Sequence, residues 1–202
     1  MSQQDRSAGW AAYYTQLRDR PPRKTALAAL DAFGTPSDDD TVIDLGCGDG
    51  RDVVEMVRRG WHVVAVDAEP EALRQLAVRG MPDAERITPI SARLEDVPLP
   101  LGVRWVNSSF AMPLCEPEKF HQLWTRIVEA LPDGGRFTGQ WYGPRDSWVD
   151  RPGITFLERK AALALLDGFE LEMFEEEEAD RVTPRGNPKH WHIFHIVAGK
   201  PR

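Results

Sequence analysis

The chain has 202 residues, 42% hydrophobic and 28% charged, enough for one domain with a full apolar core. Its formal charge of −7 opposes sequence-independent binding to nucleic acid, which needs lysines and arginines against phosphates. Cys47 and Cys115 are its two cysteines, too few for a disulfide framework or a cysteine-rich metal scaffold.

The opening MSQQDRSAGW lacks the apolar core of a signal peptide, and no apolar run reaches membrane-spanning length. The expectation is a cytoplasmic protein without a membrane segment. Trp10, Tyr13, Tyr14 and Leu17 fall on one helical face, which Pro21 and Pro22 end. A second helix is expected from Lys24 to Phe33, stopped by Gly34. Residues 1–34 are expected to form a helical N-terminal extension, and residues 38–199 the core of a single domain.

Strands and helices then alternate. TVIDL reads as a strand, Asp52 to Arg59 as a helix, HVVAV as a buried strand, and EPEALRQLAVRG as a helix with Pro70 in its first turn. ERITPI and VRWVNSSF are short strands. PEKFHQLWTRIVEAL puts Phe120, Leu123, Trp124, Ile127, Val128 and Leu131 on one helical face. GRFTGQWY is a strand, FLERKAALALL a helix, and FELEMFEEE and HWHIFHIVAG are two last strands.

Such alternation predicts an α/β fold, a doubly wound and mostly parallel sheet with helices on both faces. The last two strands are joined only by a loop, roughly ADRVTPRGNPK, so they pair as a hairpin and the final strand runs antiparallel. The acidic run Glu175 to Glu178 reads as a solvated strand end. Ligands of such sheets bind beyond the carboxyl ends of the parallel strands. That rule points to Asp44 to Gly50, Asp67, Ala92 to Leu94, Asn107 to Phe110 and Gln140 to Tyr142, with His190 to His192 arriving at the same edge.

Thr41 to Gly50 reads TVIDLGCGDG, with glycines at 46, 48 and 50 that let backbone approach a ligand closely. A dinucleotide fingerprint would need G-x-G-x-x-G, but the sixth position from Gly46 is Arg51. Asp44 and Asp49 would also face a pyrophosphate, at a cost on the order of 1–4 kcal/mol per like-charge pair. A nicotinamide or flavin site is therefore disfavoured. A ligand with a cationic amino-acid end and an adenosine end resolves the conflict, and S-adenosylmethionine has both. Asp67, ending the second strand, would accept hydrogen bonds from its ribose.

Through VIDLGCGDG, VDAEPEAL and the LPDGGRF turn, the chain resembles the class I S-adenosylmethionine-dependent methyltransferases. FHQLWTRIVEALPDGGRFTGQWYG and KHWHIFHIVAGKP are similar to small bacterial enzymes near the tellurite-resistance methyltransferases. The resemblance implies the Rossmann-like methyltransferase fold, a seven-stranded sheet with an antiparallel last strand. It implies S-adenosyl-L-methionine as cofactor and S-adenosyl-L-homocysteine as product. It puts Asp44, Gly46, Cys47, Gly48, Asp49 and Gly50 around the methionine portion, Asp67 on the ribose and Ala68 beside the adenine. Ala92, Arg93 and Leu94 fall in the adenine loop, Ser108 and Tyr14 are further cofactor-binding candidates, and Tyr13 or Tyr14 would fold over the cofactor as a lid.

Methyl transfer needs positioning and exclusion of water, and a base only for an acceptor that holds its proton tightly. The candidates are His190 and His192 as bases, and Asn107. The outline Asn107-Ser108-Ser109-Phe110 resembles the N-P-P-Y/F signature of amino-methyltransferases, with both prolines missing. His195, deeper in the strand, reads as a packing residue. Trp141, Tyr142 and Trp148 would wall an acceptor pocket, and Arg20, Arg23 and Arg145 would grip an acidic acceptor. No third ligand completes a metal set. The expected function is methyl transfer to a small molecule by a monomer or homodimer. The alternatives are an amino-methyltransferase for a nucleobase or protein side chain, and a non-catalytic cofactor-binding regulator.

Overall fold

A computed structural model describes residues 20–183 and 186–202. The expected helix bearing Trp10, Tyr13, Tyr14 and Leu17 lies outside the described residues. Helix α1 (Lys24–Phe33) buries Thr25, Ala26, Ala29 and Leu30 and stops at Gly34, whose N–H donates to Leu30 O at 3.1 Å. Then follow β1 (Thr41–Leu45), α2 (Val53–Arg58), β2 (His62–Asp67), α3 (Pro70–Ala77), β3 (Ile87–Ser91) and β4 (Trp105–Ser108). The second half holds α4 (Pro117–Ala130), β5 (Arg136–Tyr142), α5 (Arg159–Leu165), β6 (Glu170–Val182) and β7 (Pro188–Gly199). Pro70 and Pro117 each sit in a first helical turn, where a missing N–H costs nothing.

The seven strands form one sheet in the order β3-β2-β1-β4-β5-β7-β6. β7 pairs antiparallel with both β5 and β6, so it alone runs against the other six. The order reverses between β1 and β4, opening a crevice at their carboxyl ends. Period-2 alternation feeds two cores. Ile43, Leu45, Val106, Phe137, Trp141 and Phe194 pack against α4 and α5. Val42, Val63 and Trp105 pack against α1 and α2, with Trp61 edge-on to Trp105.

Two expectations change. β6 extends to Val182, so the connection to β7 is residues 183–187 and shorter than ADRVTPRGNPK. The acidic run Glu175 to Glu178 is therefore inside a paired strand, and Glu176, Glu177 and Glu178 each hydrogen-bond a histidine of β7. Among the described residues no helix is long and apolar enough to cross a membrane.

Candidate functional site

The first half of the site is the turn after β1. Gly46, Gly48 and Gly50 have φ of 77°, 55° and 85°, a region side chains resist. Space reinforces conformation, since a Cβ on Gly46 would lie 2.2 Å from Ala111 Cβ. The N–H groups of Gly46 and Cys47 both donate to Val66 O, at 2.8 and 2.9 Å. Asp67 closes the ring, its carboxylate accepting from Gly48 N and Glu69 N, each at 2.9 Å. Burial raises the pKa of Asp67, and these amide bonds oppose that rise.

Asp44 is almost completely buried, and burial together with the charge of Asp52 pushes its pKa well up. Asn107 opposes the rise by donating to Asp44 Oδ1 at 2.7 Å. Asp52, which the sequence reading took only as the start of a helix, is part of this group. It accepts from Arg23 N at 2.8 Å and from Ser109 Oγ at 2.6 Å, tying the glycine turn to α1 and to the end of β4. A carboxylate two residues past the last glycine was its one signal in the sequence. Asp49, expected to face the ligand, is instead paired with Arg79. Asp44 and Asp67 are thus two buried acids beside one turn, at the carboxyl ends of β1 and β2.

The other expected cofactor positions divide. Ala68 is exposed beside Asp67, and Ala92 N donates to Asp67 O at 3.1 Å. Leu94 is half-buried against the Gly46 turn, while Arg93 is exposed and bonded to Glu95 at 2.7 Å. Cys47 is buried, and burial raises its thiol pKa. Ser108 is a correction. Its hydroxyl donates to Leu45 O at 3.2 Å and accepts from Met112 N at 3.0 Å, wholly inside the protein. Tyr14 lies outside the described residues.

Asn107 is a second correction. It is fully buried, its Oδ1 accepts from Thr138 Oγ1 at 2.7 Å, and its amide is spent on Asp44. Nothing of it remains for an acceptor.

The second half of the site is a cavity of ≈ 580 Å³ bounded by Phe110, Tyr142, Trp148, Trp191, Ile193 and His195. Phe110 stands at φ 59°, a strained region for a bulky residue and one that clusters at functional sites. Its ring centroid lies 6.3 Å from Tyr142, 6.1 Å from Trp191 and 6.4 Å from His195. Arg23, which also lines the cavity, sits 4.3 Å above the same ring. Below the walls, Lys189 and Asp146 form a fully buried ion pair. The Lys189 ammonium lies 3.9 Å from the Trp191 ring centre and 4.3 Å from that of Trp148, fixing both indoles.

The strand parity of β7 corrects the histidine assignments. Trp191, Ile193 and His195 face the cavity; His190 and His192 take the other face. His190 bonds Asp180 at 2.8 Å and Glu178 at 3.1 Å, which raise its pKa. His192 is buried, bonded to Glu176 at 2.8 Å, and so tightly packed that a Cβ on Gly143 would fall 2.2 Å from its Nδ1. Arg145 is engaged there too, with Glu176 and Glu178. Trp141 is no wall either: it is buried among Phe120, Trp124 and Phe137. His195, read from sequence as packing, lines the cavity. Arg20, Tyr142 and Trp148 line the same cavity.

Residues 42–135 match a family described as a methyltransferase domain. Among curated proteins none matches the chain. Among solved structures, TehB from Haemophilus influenzae superposes with a TM-score of 0.72 at 15% identity, over 88% of this chain. The chain spans 62% of the length of that protein. Burkholderia thailandensis 1,6-didemethyltoxoflavin-N1-methyltransferase, solved with 1,6-didemethyltoxoflavin and S-adenosylhomocysteine, gives a TM-score of 0.66 at 20% identity. That match covers 97% of this chain and 87% of the other. Magnesium protoporphyrin IX methyltransferase from Synechocystis PCC 6803, solved with bound S-adenosylmethionine, gives 0.63 at 14%, covering 87% and 76%. At such identities these likenesses show the fold. Residues 42–135 thus match a methyltransferase-domain family, and the chain shares its fold with solved S-adenosylmethionine-dependent methyltransferases.

Proposed function

We propose that this methyltransferase uses S-adenosylmethionine to methylate a small molecule held in the cavity between Phe110, Tyr142 and Trp191. The observation that carries the reading is the adjacency of two unlike compartments. Ala111 packs on the Gly46 turn with its buried acids, and its neighbour Phe110 lines an aromatic cavity of ≈ 580 Å³. That volume is within the range of small-molecule sites.

The turn's chemistry fits the cofactor. Asp44 and Asp52 would face its ammonium end, backbone of the Gly46 to Gly50 turn its carboxylate, and Asp67 its ribose through lone pairs left over from Gly48 and Glu69. When bound, the cofactor supplies a methyl carbon activated by a positively charged sulfur. The chain's own contribution is to hold the acceptor in line and keep water out with Phe110 and Tyr142. Residues 38–199 would form the core of one such domain, with residues 1–34 as an extension over it.

The amino-methyltransferase reading loses its motif, because Asn107 is committed to Asp44. A regulator without catalysis would need a sealed mouth, and the cavity argues against that. The Burkholderia thailandensis enzyme is solved with bound 1,6-didemethyltoxoflavin, which also favours a small acceptor here.

The test is calorimetry with S-adenosylhomocysteine, followed by transfer of labelled methyl to pooled acceptors. Tight binding and label in a small-molecule pool are expected. Absence of S-adenosylhomocysteine binding, or label only in protein or nucleic acid, would sink the reading.

A further inference from the structure

His195 and Gln140 face each other across β7 and β5. Each keeps one buried polar atom, His195 Nδ1 and Gln140 Oε1, with no hydrogen-bond partner. Such orphans are rare in proteins and costly to bury, so they call for an explanation. The other atoms of the two residues are spoken for. Gln140 Nε2 donates to Thr25 Oγ1 at 2.8 Å, and His195 Nε2 lies 3.1 Å from Glu177 Oε2. A carboxylate at Nε2 requires the proton there, which leaves Nδ1 as the basic lone pair. His195 is only 6% exposed, yet its ring forms part of the cavity wall, edge-on to Phe110.

The cavity's charge says what lies against this wall. Arg20, Arg23, Arg151 and Arg181 line it; Arg181 is paired at 3.0 Å with Glu177, the one carboxylate among the described lining residues, which leaves the lining cationic. Arg23 is stacked 4.3 Å from Phe110 and Arg151 4.4 Å from Trp148, so cationic groups sit on the aromatic walls. Flat aromatic walls with cationic edges suit a planar anion.

Building on the proposed function, we infer that the acceptor is a planar anion bearing an O–H or N–H nucleophile, and that His195, oriented by Glu177, takes its proton at Nδ1. The proton passes from the acceptor to Nδ1. The electron pair left behind forms the new bond to the methyl carbon, while the carbon–sulfur bond breaks toward sulfur. The proton then leaves Nδ1 for water. Gln140 Oε1 offers the reacting group a second acceptor. The groups facing the imidazole agree with a neutral resting state. Burial and Lys24 of α1 lower its pKa, while Glu177 and Glu175 of β6 raise it less.

The experiment uses the full chain saturated with S-adenosylhomocysteine and three probes: 4-hydroxybenzoate, its methyl ester, and 4-methoxybenzoate. Calorimetry should show the hydroxybenzoate binding about tenfold more tightly than the ester. In ¹⁵N spectra, His195 Nδ1 should shift as it accepts a hydrogen bond from 4-hydroxybenzoate and stay still with 4-methoxybenzoate. His195→Gln should keep S-adenosylhomocysteine affinity and lower methylation of the hydroxyl probe about a hundredfold. It should also abolish the acid limb of the rate profile. Equal binding of acid and ester, no binding of any planar acid, an unmoved Nδ1, or an unchanged rate profile would each overturn the inference. Loss of S-adenosylhomocysteine binding by the unmodified chain would instead overturn the proposed function beneath it.

Discussion

Asn107 Nδ2 lies 2.7 Å from Asp44 Oδ1, the two residues facing each other across β4 and β1. The bond ends a chain in which Trp105 Nε1 donates to Thr138 Oγ1 at 2.8 Å and Thr138 Oγ1 donates to Asn107 Oδ1 at 2.7 Å. Each member fixes the next, and the last fixed atom is a carboxylate at the mouth of the glycine turn. The strand that leads to Phe110 and the aromatic cavity thereby also orients the acid beside the glycine turn.

Asn107→Ala should therefore act on the cofactor side. It leaves Asp44 and Thr138 with buried, unpaired atoms and should cost about 1–3 kcal/mol in urea unfolding. Affinity for S-adenosylhomocysteine should fall in calorimetry while the acceptor KM stays unchanged. A change confined to acceptor KM would restore the acceptor role that the motif Asn107 to Phe110 suggested.

Asp44 gives a pH dependence of definite sign. Its folded pKa lies above the ordinary value of 3.8, because burial and Asp52 disfavour the anion. The folded protein thus holds more protons than the unfolded chain above that value, and its stability falls as pH rises through the window. A ligand carrying an ammonium or sulfonium reverses the balance, so binding releases a proton and tightens as pH rises. Melting curves between about pH 4 and about pH 7, with and without S-adenosylmethionine, read both slopes. Asp44→Asn should flatten them, stabilise the ligand-free protein by on the order of 1 kcal/mol and weaken cofactor binding. A destabilised, slope-bearing variant would show that Asp44 is not the titrating group.

Phe110 holds φ at 59° and supplies a wall of the cavity. The two contributions separate by comparing variants. Phe110→Ala loses the ring and keeps a Cβ in the strained conformation; Phe110→Gly loses the ring and relieves the strain. Glycine should be the more stable of the pair by about 1 kcal/mol in denaturant unfolding. Both should weaken acceptor binding and leave S-adenosylhomocysteine affinity nearly intact. Alanine matching or exceeding glycine would mean the backbone carries no strain there.

Local chemistry made the cofactor half legible in the sequence. Glycines at 46, 48 and 50 answer to positive φ within a few residues, and Asp67 ends a strand whose bounds follow from HVVAV. The alternation of strand and helix periods likewise sets the sheet, its two helical layers and the antiparallel last strand. These features depend on neighbours along the chain or on rules of connection, so one sequence carries them.

The acceptor half depended on the tertiary structure. Alternation along β7 separates His190 and His192 from Trp191, Ile193 and His195, but only the register against β5 decides which set meets the cavity. A strand's faces exchange on a shift of one residue, so that single register assigns every side chain at once. The same parity buried Trp141 and exposed Tyr142 to the cavity. Arg79 neutralising Asp49, and Glu177 orienting His195, join residues on different elements. The sequence determined the turn that suits the cofactor because backbone conformation is local. The cavity, the place of His195 in its wall and its charge were decided by packing, because pairing distant strands is what brings those side chains together.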